Sequence, residues 1–208
     1  MSDTNPTKQV SDWLSGFEKA LESGDTAAAA VMFDGDDSYW RDLVSFTWNI
    51  KTMEGSSQIA DMLNTQLADA KPSNWQLDGE ATHAEGISEG WFTFETATGR
   101  GRGHIRLKGD KCWTLLTTLV ELKGHEERKG PTRETGVEHG AFKDRKNWLE
   151  RKQDEEADLG YRTQPYCVII GGGQGGIGLG ARMKRLGVPT IIIEKNERPG
   201  DSWRNRYK

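Results

Sequence analysis

The sequence predicts an α+β domain followed by the first β-α-β unit of a parallel α/β domain, which is incomplete in this chain. Apolar residues recur at helical spacing early in the chain and alternate at period two later. Net charge changes sign between the regions: residues 1–124 hold 11 basic and 19 acidic side chains, and residues 125–208 hold 17 and 13. Near the C-terminus, a glycine-rich run lies between two β-branched segments.

Composition excludes several classes of protein. The 208 residues carry a formal net charge of −4, whereas proteins that bind nucleic acid or membrane surfaces usually carry a basic excess. No apolar run approaches the roughly 18 residues of a membrane span. Residues 1–9 are polar, lack the apolar stretch of a secretory signal and are expected to be disordered. Cys112 and Cys167 have neither metal-ligand nor disulfide-framework spacing, so we expect a cytoplasmic protein without metal.

Helices are predicted first along the chain. A helix over 10–23 places its apolar side chains on one face: Val10, Trp13, Leu14, Phe17 and Leu21. Asp25 can cap a short helix over 26–33. Another amphipathic helix is predicted over 57–67. The segment 39–50 mixes aromatic and β-branched residues, which leaves a short helix or a pair of strands open.

Strands follow the helices. Segments 91–94, 104–107 and 113–120 are rich in aromatic and β-branched residues and are separated by glycine-containing turns. Helices followed by a meander of strands are typical of an α+β layout. The sequence therefore predicts a first domain over residues 10–124.

The stretch from Tyr39 to Trp48, followed by Gly55 and Ile59, resembles the nuclear-transport-factor-like cone that polyketide cyclases and steroid isomerases share. The resemblance implies a curved sheet wrapped around helices to form a cup with an apolar interior. An isomerase site would need a carboxylate base and a hydrogen-bond donor in a dry pocket. The polar candidates for such a site are Asp36, Asp37, Tyr39, Asp42, His83 and His104. Structural or solvated roles are the alternative for each, and docking of the neighbouring domain is the favoured role for the cup.

A charged segment over residues 125–164 is predicted to connect the two domains. Residues 141–159 are rich in good helix formers and are predicted to form a helix. Such a helix could cross a domain surface or serve as a solvated tether, because runs of charge are usually solvated. We assign no chemistry to this connector.

The segment 165–208 contains an extended dinucleotide-binding fingerprint. A buried strand is predicted over 166–170, a helix over 177–186 and a second strand over 190–193. Between the first strand and the helix, three glycines match the pattern G-x-G-x-x-G: Gly171, Gly173 and Gly176. An acid, Glu194, follows the second strand.

Each residue of the fingerprint has a specific structural role. Gly171 allows a tight turn, Gly173 allows a pyrophosphate to approach the backbone, and Gly176 allows the helix to pack closely on the strand. The helix N-terminus offers amides and a positive dipole to phosphate. Glu194 can accept hydrogen bonds from ribose hydroxyls and would repel a 2′-phosphate, which favours FAD or NAD over NADP. Gly175 and Lys195 complete the predicted cofactor contacts within these segments.

The C-terminal tail contains an aromatic and basic set of residues after a glycine: Gly200, Trp203, Arg204, Arg206 and Tyr207. These residues resemble the corresponding segment of flavin-containing monooxygenases and their Baeyer–Villiger-type relatives, in which a second glycine often stands at the position of Asp201. Members with a cone-fold domain in front carry the Gly-Asp-Ser-Trp-Arg version. The resemblance implies FAD as cofactor, with Trp203 and Arg204 near the flavin end.

This resemblance also implies a reaction that the chain alone does not complete. Family members use NADPH to reduce FAD and oxygenate a small-molecule substrate through a flavin hydroperoxide. No second glycine motif for NADPH occurs in this sequence, so we expect the N-terminal part of a longer Rossmann-type enzyme. A FAD-dependent dehydrogenase or reductase remains an alternative, as does a non-catalytic cone-fold module for ligand binding or dimerisation with a vestigial dinucleotide motif. A homodimer is compatible with each of these interpretations.

Overall fold

The chain forms two compact units, Met1–His125 and Glu126–Lys208. A computed structural model describes residues 5–133, 140, 143–198 and 200–206. Within these residues, no helix is both long enough and apolar enough to cross a membrane.

Helices of the first unit are α1 (Pro6–Glu22), α2 (Thr26–Ala30) and α3 (Gly55–Ala70). Helix α1 begins before the apolar periodicity does, so the expected disorder of residues 1–9 is wrong from residue 6 onward. Its first turn is held by a cap, because the Asn5 side chain accepts a hydrogen bond of 3.1 Å from the Lys8 amide. A proline at the first helical position is already suited to the helical φ.

A seven-stranded sheet completes the first unit. Its strands are β1 (Tyr39–Leu43), β2 (Ile50–Glu54), β3 (Ser73–Leu77), β4 (Thr82–Ala84), β5 (Ile87–Glu95), β6 (Gly99–Lys108) and β7 (Lys111–Leu122). The spatial order is β2-β1-β7-β6-β5-β3, and β4 pairs with β5. All pairings are antiparallel except β1 with β7, which are parallel. The predicted α+β layout is confirmed. For residues 39–50 the sequence left a short helix or a pair of strands open, and this segment contains β1 and the turn that leads to β2.

The core lies between the helices and one face of the sheet. The five apolar side chains predicted on one face of α1 are all buried. They meet a cluster of buried aromatic side chains from the sheet and loops: Phe33, Trp40, Phe46, Trp75, Phe92 and Phe94. On β6, Gly101 and Gly103 make room for two of these rings. A Cβ atom at either glycine would lie 2.2 Å from the ring of its cross-strand partner, Phe94 or Phe92.

The second unit is built around two parallel strands and the helix between them. Its elements are α4 (Trp148–Asp158), β8 (Cys167–Ile170), α5 (Gln174–Arg185), β9 (Thr190–Ile193) and α6 (Asp201–Arg206). Strands β8 and β9 pair in parallel over four residues each. The predicted strand over 190–193 coincides with β9, while α6 was not predicted. Helix α4 is shorter than the predicted helix over 141–159, of which 141 and 142 lie outside the described residues.

Part of the predicted connector is joined to this unit by ion pairs. The Glu127 carboxylate contacts Arg182 at 2.8 Å and Arg185 at 3.1 Å, both near the C-terminus of α5. Lys184 contacts Glu155 of α4 at 3.1 Å. These pairs mean that described parts of 126–164 belong structurally with the β-α-β unit.

Candidate functional site

The glycine loop lies where β8 ends and α5 begins. Gly171 adopts φ +106°, a conformation that favours glycine, and Gly173 is the N-cap of α5. A Cβ atom at Gly176 would lie only 1.8 Å from the Gly171 carbonyl oxygen. The close approach of the helix to the turn therefore requires glycine at position 176, as the fingerprint predicts.

The same helix presents a second close contact and an open side. A Cβ atom at Gly180 would lie 2.6 Å from the Ile192 side chain, so this glycine lets α5 pack on β9. In contrast, a Cβ atom at Gly175 or Gly178 would meet no atom within 4 Å. The packing of α5 on β8 and β9 therefore requires glycine at positions 176 and 180. The side of α5 that carries Gly175 faces open space.

The start of α5 has free hydrogen-bonding capacity. The first intrahelical bond runs from the Ile177 amide to the Gly173 carbonyl, so the preceding amides have no acceptor within the helix. Gly173 has no side chain, and within the described residues no side chain caps this end. Together with the helix dipole, these amides form a place suited to an anion.

Glu194 lies beside this loop. Its carboxylate accepts hydrogen bonds from the Gly172 amide at 2.5 Å, the Asn196 amide at 2.9 Å and the Asn196 side chain at 2.6 Å. The backbone bond from Asn196, followed by that from Gly172, lowers the pKa of Glu194, so the carboxylate is ionised at neutral pH. The structure brings Glu194 and the glycine loop together.

Sequence reasoning missed two residues of this arrangement. Gly172 occupies a variable position of the pattern, yet a Cβ atom there would lie 3.0 Å from the Glu194 Oε2 atom. Asn196 orients the carboxylate through two bonds. The run of three glycines was a signal for the first residue, whereas no pattern in the sequence indicated the second.

The tail returns to the glycine loop. The Gly200 amide donates to the Gly172 carbonyl at 3.2 Å, and the Ser202 Oγ atom lies 3.9 Å from the position that a Cβ atom of Gly173 would take. These contacts place the start of α6 against the loop. Tyr207 lies outside the described residues.

The remaining predicted cofactor contacts are Lys195, Trp203 and Arg204. Lys195 is exposed, and Trp203 is 53% exposed. The Arg204 guanidinium donates to the buried Asp201 carboxylate at 2.6 Å, and this bond is the main cause that lowers the pKa of Asp201. Asp201, where the resembled family often has glycine, therefore organises the turn before α6 through Arg204 and, at 3.4 Å, Arg198.

Asp42 of the first unit is a structural carboxylate. It is fully buried and accepts five hydrogen bonds, from the amides of Ser45, Phe46 and Thr47 and from the hydroxyls of Thr47 and Thr117. These donors hold the loop between β1 and β2 in place. Asp42 therefore has no vacant position for the role of a catalytic base.

The other polar candidates of the cup do not converge on Asp42. Asp37 pairs with Lys108 at 2.8 Å, and this hydrogen bond lowers the pKa of Asp37. The His83 Nδ1 atom lies 2.8 Å from the Ser88 hydroxyl. Asp36 is exposed in the turn before β1, while Tyr39 and His104 line a groove on the opposite face of the sheet. Within the described residues, the base and donor of an isomerase site are not assembled.

Comparison with known proteins gives a short match to an oxidoreductase. No protein-family model matches the chain. Over 40 residues the chain is 42% identical to "Uncharacterized oxidoreductase CzcO" of Bacillus velezensis. This match covers 19% of the chain and 12% of that protein, so the chain spans a small part of its relative.

Solved structures similar to this chain include two proteins described as NTF2-like. One, from Novosphingobium aromaticivorans, has a cystatin-like fold, is 15% identical and gives a TM-score of 0.40, covering 56% of this chain and 82% of that one. The other, from Cytophaga hutchinsonii, is 13% identical at a TM-score of 0.38, covering 58% and 95%. The canthaxanthin-binding Orange Carotenoid Protein of Anabaena is 12% identical at a TM-score of 0.45, covering 53% and 36%.

Proposed function

We propose that the second unit binds the adenosine diphosphate part of FAD and that the chain belongs to an NADPH-dependent flavoprotein monooxygenase. One observation carries the proposal: the ionised Glu194 carboxylate is hydrogen-bonded to the glycine loop at the uncapped start of α5. A carboxylate and free amides side by side match the two ends of a ribose–pyrophosphate unit.

The residues present fit such a ligand. The amides at the start of α5 would donate hydrogen bonds to the pyrophosphate oxygens, and the open side at Gly175 leaves the backbone accessible. The Gly172 amide and the two Asn196 donors leave about one of the four lone-pair sites of the Glu194 carboxylate, which would accept a hydrogen bond from a ribose hydroxyl. The same negative charge opposes a 2′-phosphate, which favours FAD over NADP at this site.

The flavin and the monooxygenase class are supported by the tail and by the oxidoreductase match. The tail lies against the glycine loop through Gly200, and its resemblance to flavin-containing monooxygenases extends over Trp203 and Arg204. When bound, FAD would supply the redox chemistry, while this chain's residues bind and orient it. NADPH would be the reductant of the complete enzyme.

Titration calorimetry of the full chain with FAD tests the proposal, with Glu194→Gln and Glu197→Gln as a matched pair of variants. Glu197 is exposed and follows the same strand. Because hydrogen bonds to charged groups contribute about 1.5–3 kcal/mol, Glu194→Gln should weaken FAD binding about tenfold or more, and Glu197→Gln by less than about twofold.

A specificity measurement separates recognition from general loss of structure. Adenosine 5′-monophosphate and adenosine 2′,5′-bisphosphate differ only by the 2′-phosphate. We expect the chain to prefer the first and Glu194→Gln to reduce that preference. Absence of FAD binding to the folded chain would refute the proposal and favour a non-catalytic module, as would equal effects of the two variants.

A further inference from the structure

A row of five side chains crosses the outer face of the first unit's sheet at one register. Arg41 pairs with Thr52 of β2 and Leu116 of β7, Leu116 pairs with His104 of β6, and His104 pairs with Trp91 of β5. Since neighbouring strands lie about 4.8 Å apart, Arg41 and Trp91 stand roughly 14 Å apart at the backbone. The row runs from a cation, across an apolar residue, to aromatic rings.

These residues line a groove together with Tyr39 and Thr114. Its volume is about 440 Å³, within the range of small-molecule sites. Tyr39 is 38% exposed and Trp91 is 45% exposed, so aromatic surface faces the solvent on this side of the sheet. All residues that line the groove belong to the first unit.

The charge at one end of the groove is not balanced by an acid. The Arg41 guanidinium donates to the Thr52 hydroxyl at 3.2 Å, and no carboxylate is among the described residues that line the groove. Nearby on the same face, Arg106 pairs with Glu89 at 2.8 Å. Arg41 thus offers a guanidinium fork to an external anion, for which carboxylates have the matching geometry.

The aromatic end is held in a fixed orientation. The Trp91 ring meets the His104 ring edge-on at 4.7 Å between centroids, and the Arg102 guanidinium lies 4.6 Å from the Trp91 centroid. Burial lowers the pKa of His104, so its imidazole is neutral at pH 7 and leaves the positive charge of the groove to Arg41. Held from two sides, the Trp91 ring can receive a ligand ring at low entropic cost.

We infer that this groove binds an elongated aromatic carboxylate, whose carboxylate contacts Arg41 and whose ring packs against Trp91 and His104. Leu116, between them, contacts the apolar body of the ligand. The separation across three strand intervals favours a ligand with two linked rings over a single benzoate. This inference is independent of the function proposed for the second unit.

Calorimetric titration of the full chain with biphenyl-4-carboxylate, and with the uncharged biphenyl-4-carboxamide, tests the inference. The acid should bind about tenfold or more tightly than the amide, because only the acid forms a charge-assisted pair with Arg41. Arg41→Gln should remove this preference. Arg100→Gln is the matched control, because Arg100 lies on the same face and pairs with Glu121 at 3.1 Å, and it should retain the preference.

Three results would overturn the inference: no binding of the acid at about 1 mM, equal affinity for acid and amide, or the same loss in both arginine variants. Sedimentation of the free chain gives a fourth test: a dimer that dissociates on Arg41→Gln or Trp91→Ala would also overturn the inference, because a second copy of the chain would then cover this face. Circular dichroism verifies that each variant is folded. Glu194→Gln should leave the titration unchanged, which separates this site from the proposed FAD site.

Discussion

Replacement of Gly176 by alanine tests the packing of the glycine loop. The added Cβ atom would lie 1.8 Å from the Gly171 carbonyl oxygen, whereas carbon and oxygen atoms that are not bonded approach to about 3.3 Å. The start of α5 and the end of β8 would have to separate by about 1.5 Å. Because the obstacle is backbone, no side-chain rotation can relieve the clash.

The expected cost follows from two opposing effects. Overpacking costs about 1–3 kcal/mol and sometimes more, whereas alanine in place of glycine inside a helix stabilises by about 1 kcal/mol. A clash of this depth belongs at the upper end of the first range, so Gly176→Ala should destabilise the second unit by about 2 kcal/mol. Gly178→Ala has only the second effect, because its Cβ atom would meet nothing within 4 Å.

Hydrogen exchange followed by mass spectrometry measures this difference within the second unit. Peptides that contain β8 and β9 should exchange about a hundredfold faster in Gly176→Ala than in Gly178→Ala, since the two variants differ by about 3 kcal/mol. Peptides of the first unit serve as an internal reference and should not change. Equal exchange in the two variants would refute the reasoning from the close approach of helix and turn.

Two further predictions concern the first unit. Thr117→Val removes a donor to the buried Asp42 carboxylate and the acceptor of the Trp40 indole N–H, so it should destabilise by about 2–4 kcal/mol in denaturant unfolding. Thr118→Val on the outer face should have little effect, and a similar loss there would contradict the role of the buried network. Burial lowers the pKa of His104 below its unfolded value, so the unfolded state takes up a proton first as pH falls. The free energy of unfolding of the wild-type chain, relative to that of His104→Gln, should therefore decline as the pH drops through about 6.5. A difference between the two free energies that does not change with pH would refute this prediction.

The sequence predicted elements well where apolar spacing sets the structure. The buried face of α1 and strand β9 follow directly from periodicity. The early start of α1 was missed because capping by Asn5, and not apolar burial, determines its first turn. The short strands β3 and β4 were also missed, since their stability comes from pairing with β5 and their own residues show little alternation.

In the candidate site too, features set by a local pattern could be predicted, whereas features set by distant contacts could not. Gly176 could be predicted, because its need for glycine is part of a local pattern between strand and helix. The structural role of Asp42 could not, since one of its five donors is Thr117, which lies 75 positions along the chain. Similarly, the contact of Gly200 with the loop depends on how the tail folds back, which no local pattern encodes.

The parallel pairing of β1 with β7 determines when the first unit can fold. Each residue of β1 pairs with a residue about 75 positions later in the chain, as Trp40 does with Leu115. During synthesis, the aromatic side chains of the core therefore remain exposed to water until the last strand has left the ribosome. Contacts this distant slow folding and make it cooperative, so we expect the first unit to form in one late step. Until that step, the exposed aromatic segments of the nascent chain are prone to aggregation.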